Sequence, residues 1–349
     1  MRILYSFVKC CPKLYHDTIR SMSYELISFG DITTDAFIRL KDARVNCDID
    51  HNNCQLCVKF GAKIPYESVT EVRAVGNGPN AAVAAHRIGL KSAPVTDIGG
   101  DQNGRNCLEA LKSEGISTEY VRVHKDMPTN YHYVLQYEAE RTILVKHQEF
   151  PYELPKFEEE PRWFYLTSLP AHSLPYHEKI VAYVREHNIK LAFQPGTFQL
   201  QIGKDALKNV YTAAEIFFCN KEEAQQLLKT DEGDMKKLLE SVRRLGPKIA
   251  VITDGRNGAA IMSEAGAWFS PMFPDPAPPI SRTGAGDAAS STTVAYMTLG
   301  LEPQEALRRG QVNSAYVVQK VGAQAGLLTR NELEKYFSEA PETFRLQSL

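Results

Sequence analysis

The sequence lacks several features that would place it in a specialised class of protein. No apolar run approaches the roughly 18 residues that span a membrane. The formal charge of −2 gives no electrostatic basis for binding nucleic acid or an anionic membrane. The seven cysteines are unevenly spaced and do not resemble a secreted disulfide framework. We therefore expect a cytoplasmic protein, with neither nucleic acid nor a membrane as a partner.

The length and composition are those of an ordinary globular protein. The chain has 349 residues, 43% of them apolar and 23% charged, enough for one large α/β domain or two smaller ones. Residues 1–22 are basic and poor in acids, as in a targeting peptide, but the apolar stretch at 3–8 is short for a secretory signal. We expect residues 1–22 to be an N-terminal extension from an upstream start or a disordered segment. The domain is then predicted over 23–340, with a tail at 341–349.

Apolar, β-rich stretches alternate with helical ones along most of the chain, and no repeat or low-complexity tract interrupts them. This alternation predicts a doubly wound, mostly parallel sheet with helices on both faces, and ligands bind beyond the carboxyl ends of such strands. Residues 36–75 look irregular, and a hairpin is predicted at 131–147. The predicted strands are 24–29, 93–98, 163–167, 190–193, 215–219 and 249–253, and the predicted helices are 80–90, 103–114, 177–187, 221–229, 235–245, 285–299, 303–320 and 331–337.

A turn of small residues, Thr283–Asp287, precedes a predicted buried helix. Gly284, Ala285 and Gly286 let backbone N–H groups turn inward at a helix N-terminus, which favours an anion. Asp287 lies beside them in the first helical turn. A carboxylate next to an anion cradle suits phosphoryl transfer to an alcohol. A glycine-softened turn with a capping Asp is an equally good interpretation of the turn taken alone.

Other polar loops follow or precede predicted elements. Asp31 and Asp35 follow the first strand, and the loop Gly76–Asn80 offers amides to a polyol; a turn Asp and a helix cap are the structural alternatives. Asn220 and Glu223 open a helix where Glu223 could reach Mg²⁺ through water, or where Asn220 simply caps the helix. Thr253–Gly258 could lie against a nucleotide or form a plain β-turn.

Taken in this order, the segments resemble the sugar kinases of the PfkB (ribokinase-like) family over residues 24–338. The strongest signature is Thr283–Asp287, followed by Gly76–Asn80 with the alanine-rich helix after it. Supporting segments are Ile98–Asp101 with Gly104, Glu140–Ile143, Asn220 with Glu223, Thr253–Gly258 and Gly322–Gln324.

The resemblance implies a reaction and roles for particular residues. It implies ATP-dependent phosphorylation of a hydroxymethyl group, with Mg²⁺ and a small β lid from about 36–66 and 130–147. The implied roles are Asp287 as general base; Gly284, Ala285 and Gly286 as anion hole; Asp31, Thr33, Asp35, Gly76, Asn77, Gly78, Asn80 and Glu140 at the substrate; Asn220, Thr253, Asp254, Gly255, Arg256, Asn257, Gly258 and Gln311 at the nucleotide; and Glu223 at Mg²⁺.

The chain departs from the family pattern at several points. Ser281 stands at an Asp position used by relatives that a monovalent cation activates, and Val75 replaces the first glycine of the sugar loop. Gln194 replaces an Asp after its strand. Arg282 could add positive charge near the phosphates or point to solvent.

The substrate stays open between a free sugar, such as ribose or fructose, and a nucleoside such as adenosine. A nucleoside needs an apolar platform, which the lid residues Phe37, Phe60, Tyr131 and Tyr133 could supply. Sugar phosphates are disfavoured because the sugar loop lacks Lys or Arg. A non-catalytic sugar- or nucleotide-binding regulator is the alternative from another class. The lid strands could also pair in a homodimer.

The cysteine-rich segment of the lid contains four candidate metal ligands. Cys47, His51, Cys54 and Cys57 lie within eleven residues. A single Cys-x-x-Cys is weak evidence for structural zinc, so free cysteines in a lid strand are the favoured interpretation.

Overall fold

The computed structural model describes residues 23–48, 54–137 and 140–349, so the expectation for residues 1–22 lies outside them. The strands in these ranges are β1 (Leu26–Phe29), β2 (Thr33–Leu40), β3 (Arg44–Asn46), β4 (Gln55–Cys57), β5 (Tyr66–Val75), β6 (Ser92–Gly99), β7 (Val121–His124), β8 (Asn130–Tyr137), β9 (Glu140–Leu144), β10 (Trp163–Leu166), β11 (Lys190–Phe193), β12 (Ala214–Asn220), β13 (Ile249–Thr253), β14 (Ala259–Ser263), β15 (Gly266–Ser270) and β16 (Gln347–Ser348). The helices are α1 (Asn77–Arg87), α2 (Gln102–Ser113), α3 (Leu174–His187), α4 (Thr197–Ile202), α5 (Lys208–Ala213), α6 (Lys221–Leu228), α7 (Met235–Arg243), α8 (Ala285–Thr298), α9 (Pro303–Val317) and α10 (Arg330–Ser338), with 3₁₀ turns at Ala171–Ser173 and Gly255–Asn257.

The main sheet of these residues has the strand order β16-β15-β14-β13-β12-β11-β10-β1-β6-β7. The seven strands from β13 to β7 in this order are parallel, whereas β14, β15 and β16 add an antiparallel edge. The strand order reverses beside β1, as in a doubly wound fold. The predicted fold class is confirmed.

The central strands are apolar along their whole length because both faces of the sheet are covered. In β1, Ile27 and Phe29 belong to a core shared with α3, α5, α6 and α7 on one face, and Leu26 belongs to a core shared with α1, α8, α9 and α10 on the other. Successive side chains of a strand point to opposite faces, so a strand buried on both sides has no polar alternation. Each fully buried Phe or Leu contributes about 1.5–3 kcal/mol of transfer free energy.

A second sheet, the lid, has the order β5-β2-β8-β9. The predicted hairpin is present as β8 paired antiparallel with β9. Strand β5 occupies residues 66–75, within the stretch 36–75 that looks irregular in the sequence. It was overlooked because most of β5 is exposed, and an exposed strand lacks the apolar run that marks a core strand.

The C-terminal residues predicted as a tail contact the body of the protein. Phe344 is buried and packs edge-on against Phe273, with ring centroids 5.1 Å apart. Strand β16 then extends the sheet edge, pairing Gln347 with Phe269. Burial of one aromatic side chain therefore anchors residues 341–349.

The cysteine-rich segment forms a disulfide in place of the expected free thiols. The antiparallel hairpin of β3 and β4 brings Cys47 opposite Cys54, with a Cα–Cα distance of 4.0 Å, and the two sulfurs are bonded. Cys57 is exposed and free. His51 lies outside the described residues, among which no three His, Cys, Asp or Glu side chains form a metal-binding group. The arrangement gives no support to a zinc site, since zinc needs the cysteines as thiolates.

In the described ranges no helix has the length and apolar character needed to cross a bilayer.

Candidate active site

A cavity of about 480 Å³ lies between the lid and the carboxyl ends of the parallel strands. Its floor is built from residues that follow successive strands: Asp31 after β1, Ser168 after β10, Gln194 after β11 and Asn220 at the end of β12. This is the position that a doubly wound sheet offers to ligands. The cavity therefore lies at the edge of the sheet where the sequence predicts ligand binding.

Asp287 lies in the wall of this cavity, in the first turn of α8. Its Oδ1 accepts a hydrogen bond from Nε2 of Gln194 at 3.0 Å, and its Oδ2 accepts one from Nδ2 of Asn80 at 2.8 Å. Burial raises the pKa of the Asp287 carboxyl, while these two donors and the positive charge of Arg141 oppose that rise. Asp287 is thus a carboxylate held in a fixed orientation and more basic than an exposed one.

Gly284, Ala285 and Gly286 line the same cavity. Gly284 has φ +86°, and a Cβ there would lie 2.5 Å from Cβ of Ala323, so only glycine fits. Within the part of the chain that the structure describes, none of the backbone N–H groups of these three residues has a hydrogen-bond acceptor. They remain free to hold an anion at a helix N-terminus.

The substrate end of the cavity contains two aspartates in different environments. Both oxygens of Asp31 are occupied, Oδ1 by the hydroxyl of Tyr152 and Oδ2 by Nδ1 of His147, each at 2.7 Å. In contrast, Oδ1 of Asp35 is buried without a hydrogen bond and lies 3.3 Å from Nδ1 of His132. Asp35 therefore keeps an acceptor for a ligand hydroxyl, whereas Asp31 braces the lid connection.

The glycine–asparagine loop contributes in two ways. Gly76, with φ +115°, lines the cavity together with Asn77, and helix α1 begins at Asn77, three residues earlier than predicted. Gly78 lies against the backbone of Gly30, which a Cβ would approach to 3.0 Å. Gly78 therefore serves close packing of α1 against the strand–loop junction, and Asn80 reaches Asp287.

Glu140 does not line the cavity, and its neighbour Arg141 does. The Glu140 side chain is 77% exposed, and its Oε1 lies 3.9 Å from Nε of Arg282. Arg282 itself lines the cavity, and its Nε is buried. Of the two orientations considered for Arg282, the structure has the one directed to the site.

Asn220 and Glu223 form a reciprocal cap at the start of α6. Oδ1 of Asn220 accepts from the Glu223 backbone N–H at 2.7 Å, and Oε2 of Glu223 accepts from the Asn220 backbone N–H at 2.9 Å. Both residues also line the cavity, and burial raises the pKa of Glu223. The capping interpretation is correct, and Oε1 of Glu223 has no hydrogen bond within the described residues.

The loop expected at the nucleotide enters the cavity at one residue. Thr253 lines it, while Asp254 turns away to pair with Lys221 at 3.5 Å. Beyond the loop, β14 pairs antiparallel with β13, so the predicted partner strand is present. The remaining residues of the group lie outside the cavity lining: Gly255, Arg256, Asn257, Gly258 and Gln311, the last buried in α9.

Several cavity residues were not identified from the sequence. His132 and His147 come from the lid and its exit, with ring centroids 5.4 Å apart, and Phe198 in α4 contacts His147 edge-on. Arg141 falls within the segment Glu140–Ile143, and Gln194 stands where the family pattern has an Asp. No spacing signal marks these positions, because their proximity depends on how the lid closes over the sheet.

The fold and this site define a class of protein: an α/β phosphotransferase with a carboxylate beside a helix N-terminus. The comparisons make the class specific. The model of the family described as "pfkB family carbohydrate kinase" matches residues 45–330, and the chain belongs to this family.

Individual relatives agree with this assignment. The chain is 24% identical to ribokinase of Bacillus subtilis (strain 168) over 271 residues, covering 75% of this chain and 87% of that protein. It is 23% identical to a nucleoside kinase of Methanothermobacter thermautotrophicus (strain Delta H) over 273 residues, covering 75% and 84%. A structure of Arabidopsis thaliana ribokinase complexed with ribose and ATP superimposes with a TM-score of 0.73 at 18% identity, covering 90% of this chain and 98% of that one.

Proposed function

We propose that this carbohydrate kinase transfers the γ-phosphoryl group of ATP to a hydroxymethyl group of a free sugar. The observation that carries the proposal is the position of Asp287, held by two amide donors in the same cavity as three free N–H groups and the acceptor of Asp35. Base, anion cradle and hydroxyl acceptor are the parts that such a transfer needs.

In the proposed reaction, Asp287 accepts the proton of the substrate hydroxyl as its oxygen forms a bond to the γ-phosphorus. The bond between the γ-phosphorus and the bridging oxygen breaks, and ADP leaves with that oxygen. Negative charge on the transferring group is stabilised by the N–H groups of Gly284, Ala285 and Gly286, which are already oriented by the αL turn at Gly284. Arg282 adds positive charge to the same cavity.

The donor set at α6 fits Mg²⁺ bound through water. Mg²⁺ keeps several waters and takes few protein carboxylates, and Glu223 offers one carboxylate oxygen without a hydrogen bond in the described chain. The ion would neutralise the charge of the nucleotide phosphates. Asn220 and Thr253 line the same end and would contact those phosphates, and we place Asp254–Gly258 and Gln311 at the remainder of the nucleotide.

At the other end, Asp35 would accept hydroxyl groups of the sugar, with Asn77, Asn80 and Thr33 beside it. Asp31 and Gly78 support this wall through their own contacts. Glu140 would reach the substrate only if it left Arg282, so we assign it a supporting role.

A free sugar is preferred to a nucleoside because of what lines the cavity. The aromatic residues of the lid that could form a platform for a base do not line the cavity. Phe37 is buried in the lid, Tyr133 is 48% exposed and Phe60 is fully exposed. Tyr131 bonds to Glu71 at the surface. The substrate end instead presents His132, His147 and carboxylates, which suit hydroxyl groups.

One experiment separates the candidates: a coupled ADP-release assay with Mg²⁺ over a panel of free sugars and nucleosides. We expect turnover with a sugar. Turnover with nucleosides alone would show that the substrate is a nucleoside rather than a free sugar. The Methanothermobacter relative is named a nucleoside kinase. ATP binding without turnover on any acceptor would favour a non-catalytic regulator and contradict the proposal.

Assembly and location complete the proposal. The outer face of the lid exposes Val69, Tyr133 and Leu144, each 45–52% accessible, and we propose that it pairs with a second copy in a homodimer. Light scattering of the wild type and of Leu144→Lys would test this, since a monomeric wild type contradicts it. We place the enzyme in the cytoplasm, where ATP is abundant.

A further inference from the structure

Gln194 holds Asp287 from the side opposite Asn80. The carboxylate of Asp287 accepts hydrogen bonds only, so each amide must turn its N–H₂ group to it. The carbonyl oxygens of the two amides consequently point away from Asp287. We refer to these two side chains, Asn80 and Gln194, as the amide clamp.

Each arm of the clamp is fixed from behind by further donors. Oε1 of Gln194 accepts from the hydroxyl of Tyr165 and also lies 2.8 Å from the hydroxyl oxygen of Ser290. Oδ1 of Asn80 accepts from Nε2 of Gln324 at 2.9 Å. In this orientation both N–H₂ groups face Asp287 and both carbonyls face donors, whereas a flipped amide would turn its oxygen toward the carboxylate of Asp287.

Two buried hydroxyl groups lie behind Gln194. Tyr165 is completely buried in the core, and its hydroxyl also lies 2.8 Å from Oγ of Ser290. Ser290 is one turn along α8 from Asp287 and bonds back to the Gly286 carbonyl at 2.7 Å. Burying a hydroxyl costs free energy of desolvation unless it is hydrogen-bonded, and Tyr165 and Ser290 are bonded to each other and lie against Gln194.

We propose that Gln194 is a positioning residue of the phosphoryl transfer, which with Asn80 aligns the carboxylate of Asp287 for proton abstraction and is itself oriented by Tyr165 and Ser290. This inference rests on the proposed function. The amide is neutral, so it donates to the carboxylate without the repulsion that an acidic side chain 3.0 Å away would exert.

The charged and titratable groups that act on Asp287 come from several elements. Arg141 on β9 stabilises its ionised form, while Glu223 on α6 and Tyr165 on β10 interact with it electrostatically. These groups are identical in the wild type and in Gln194 variants. A difference in pH profile between the two therefore reports the loss of the Gln194 donor.

The test compares Gln194→Met, Gln194→Glu and Tyr165→Phe with the wild type in the holoenzyme with ATP and Mg²⁺, using the acceptor found by the screen. Gln194→Met removes the donor, and we expect kcat to fall about 10- to 100-fold with little change in the Kd for ATP. Its acid limb in kcat/KM should move about one pH unit upward, because the ionised base loses a hydrogen bond.

Gln194→Glu keeps the shape and replaces the donor by an acid, so it should lose at least as much activity at neutral pH. Tyr165→Phe should also lower kcat, but only about 2- to 10-fold. Gln226→Met, an exposed Gln→Met change on α6, is the matched control and should behave as the wild type. Thermal melts of all variants separate positioning from loss of fold.

A wild-type kcat and pH profile in Gln194→Met or Gln194→Glu would overturn the role of Gln194 while leaving the proposed kinase activity in place. A kcat loss without a shift of the acid limb, accompanied by an equal loss of ATP binding or of folded protein, would also overturn it. Absence of turnover in the wild type with every acceptor would instead overturn the proposed function.

Discussion

Nδ2 of Asn80 lies 2.8 Å from Oδ2 of Asp287, joining two residues that are 207 positions apart in the chain. Asn80 belongs to the glycine–asparagine loop and helix near the N-terminus, and Asp287 to the glycine turn near the C-terminus. The contact exists because α1 and α8 pack side by side on one face of the sheet. The substrate loop and the proposed base therefore form one hydrogen-bonded unit.

Replacement of the proposed base should separate binding from chemistry. We expect Asp287→Ala to lower kcat by about 10²- to 10⁴-fold, since a positioned general base contributes that much. ATP should still bind, because the N–H groups of Ala285 and Gly286 are retained. Coupled ADP release and titration calorimetry measure the two effects, and near-normal kcat in the variant would refute the mechanism.

The pH dependence should show a base that is harder to ionise than an ordinary aspartate. Burial raises the pKa of Asp287 above the usual 3.8, and only the ionised form accepts a proton. The value of kcat/KM should therefore be constant above that raised pKa and fall as the pH drops through it. An acid limb at or below 3.8, measured where the enzyme remains folded, would argue against Asp287 as the base.

Two glycines of the turn should respond differently to the same substitution. Gly284→Ala forces a Cβ into Ala323 at φ +86° and should destabilise the protein by about 1–3 kcal/mol while lowering kcat. A Cβ at Gly286 meets no atom within 4 Å and its φ is not in the left-handed region. Gly286→Ala should therefore keep the wild-type melting temperature.

Gly286→Ala also tests the anion cradle directly. A methyl group beside the N–H groups should hinder a bound phosphate, so kcat should fall although the fold is intact. Equal loss of stability in both glycine variants would show that the turn is merely structural.

The two aspartates at the substrate end should have separable effects. Asp35→Ala should raise the KM for the sugar about 10-fold or more with little change in stability, because it removes the proposed acceptor of a ligand hydroxyl, an oxygen that makes no hydrogen bond in the described residues. Asp31→Asn disturbs the bonds to Tyr152 and His147 and should lower the free energy of unfolding by about 1–3 kcal/mol. Steady-state kinetics and denaturant titration would measure both, and an unchanged KM in Asp35→Ala would place the sugar elsewhere.

The sequence by itself determined the alternation of strands and helices, the edge of the sheet at which the cavity lies, and the turn at Gly284–Asp287. These features are local: apolar strands on a two-sided sheet, capping residues and small residues at a helix start act over a few positions. The open alternatives at Asn220 and at Thr253–Gly258 concern the same kind of feature. At Asn220 the structure contains the helix cap, and after Thr253–Gly258 it contains the partner strand. Asn220 and Thr253 also line the cavity.

Only the tertiary structure decided which polar side chains meet. Gln194 contacts Asp287 across 93 positions, and Arg141 rather than Glu140 lines the cavity. The tertiary structure also decided the pairing of the exposed strand β5 with β2 and the disulfide between Cys47 and Cys54. Such contacts depend on strand order, on register and on how the lid lies over the sheet, because a shift of one residue in a strand turns every side chain to the other face.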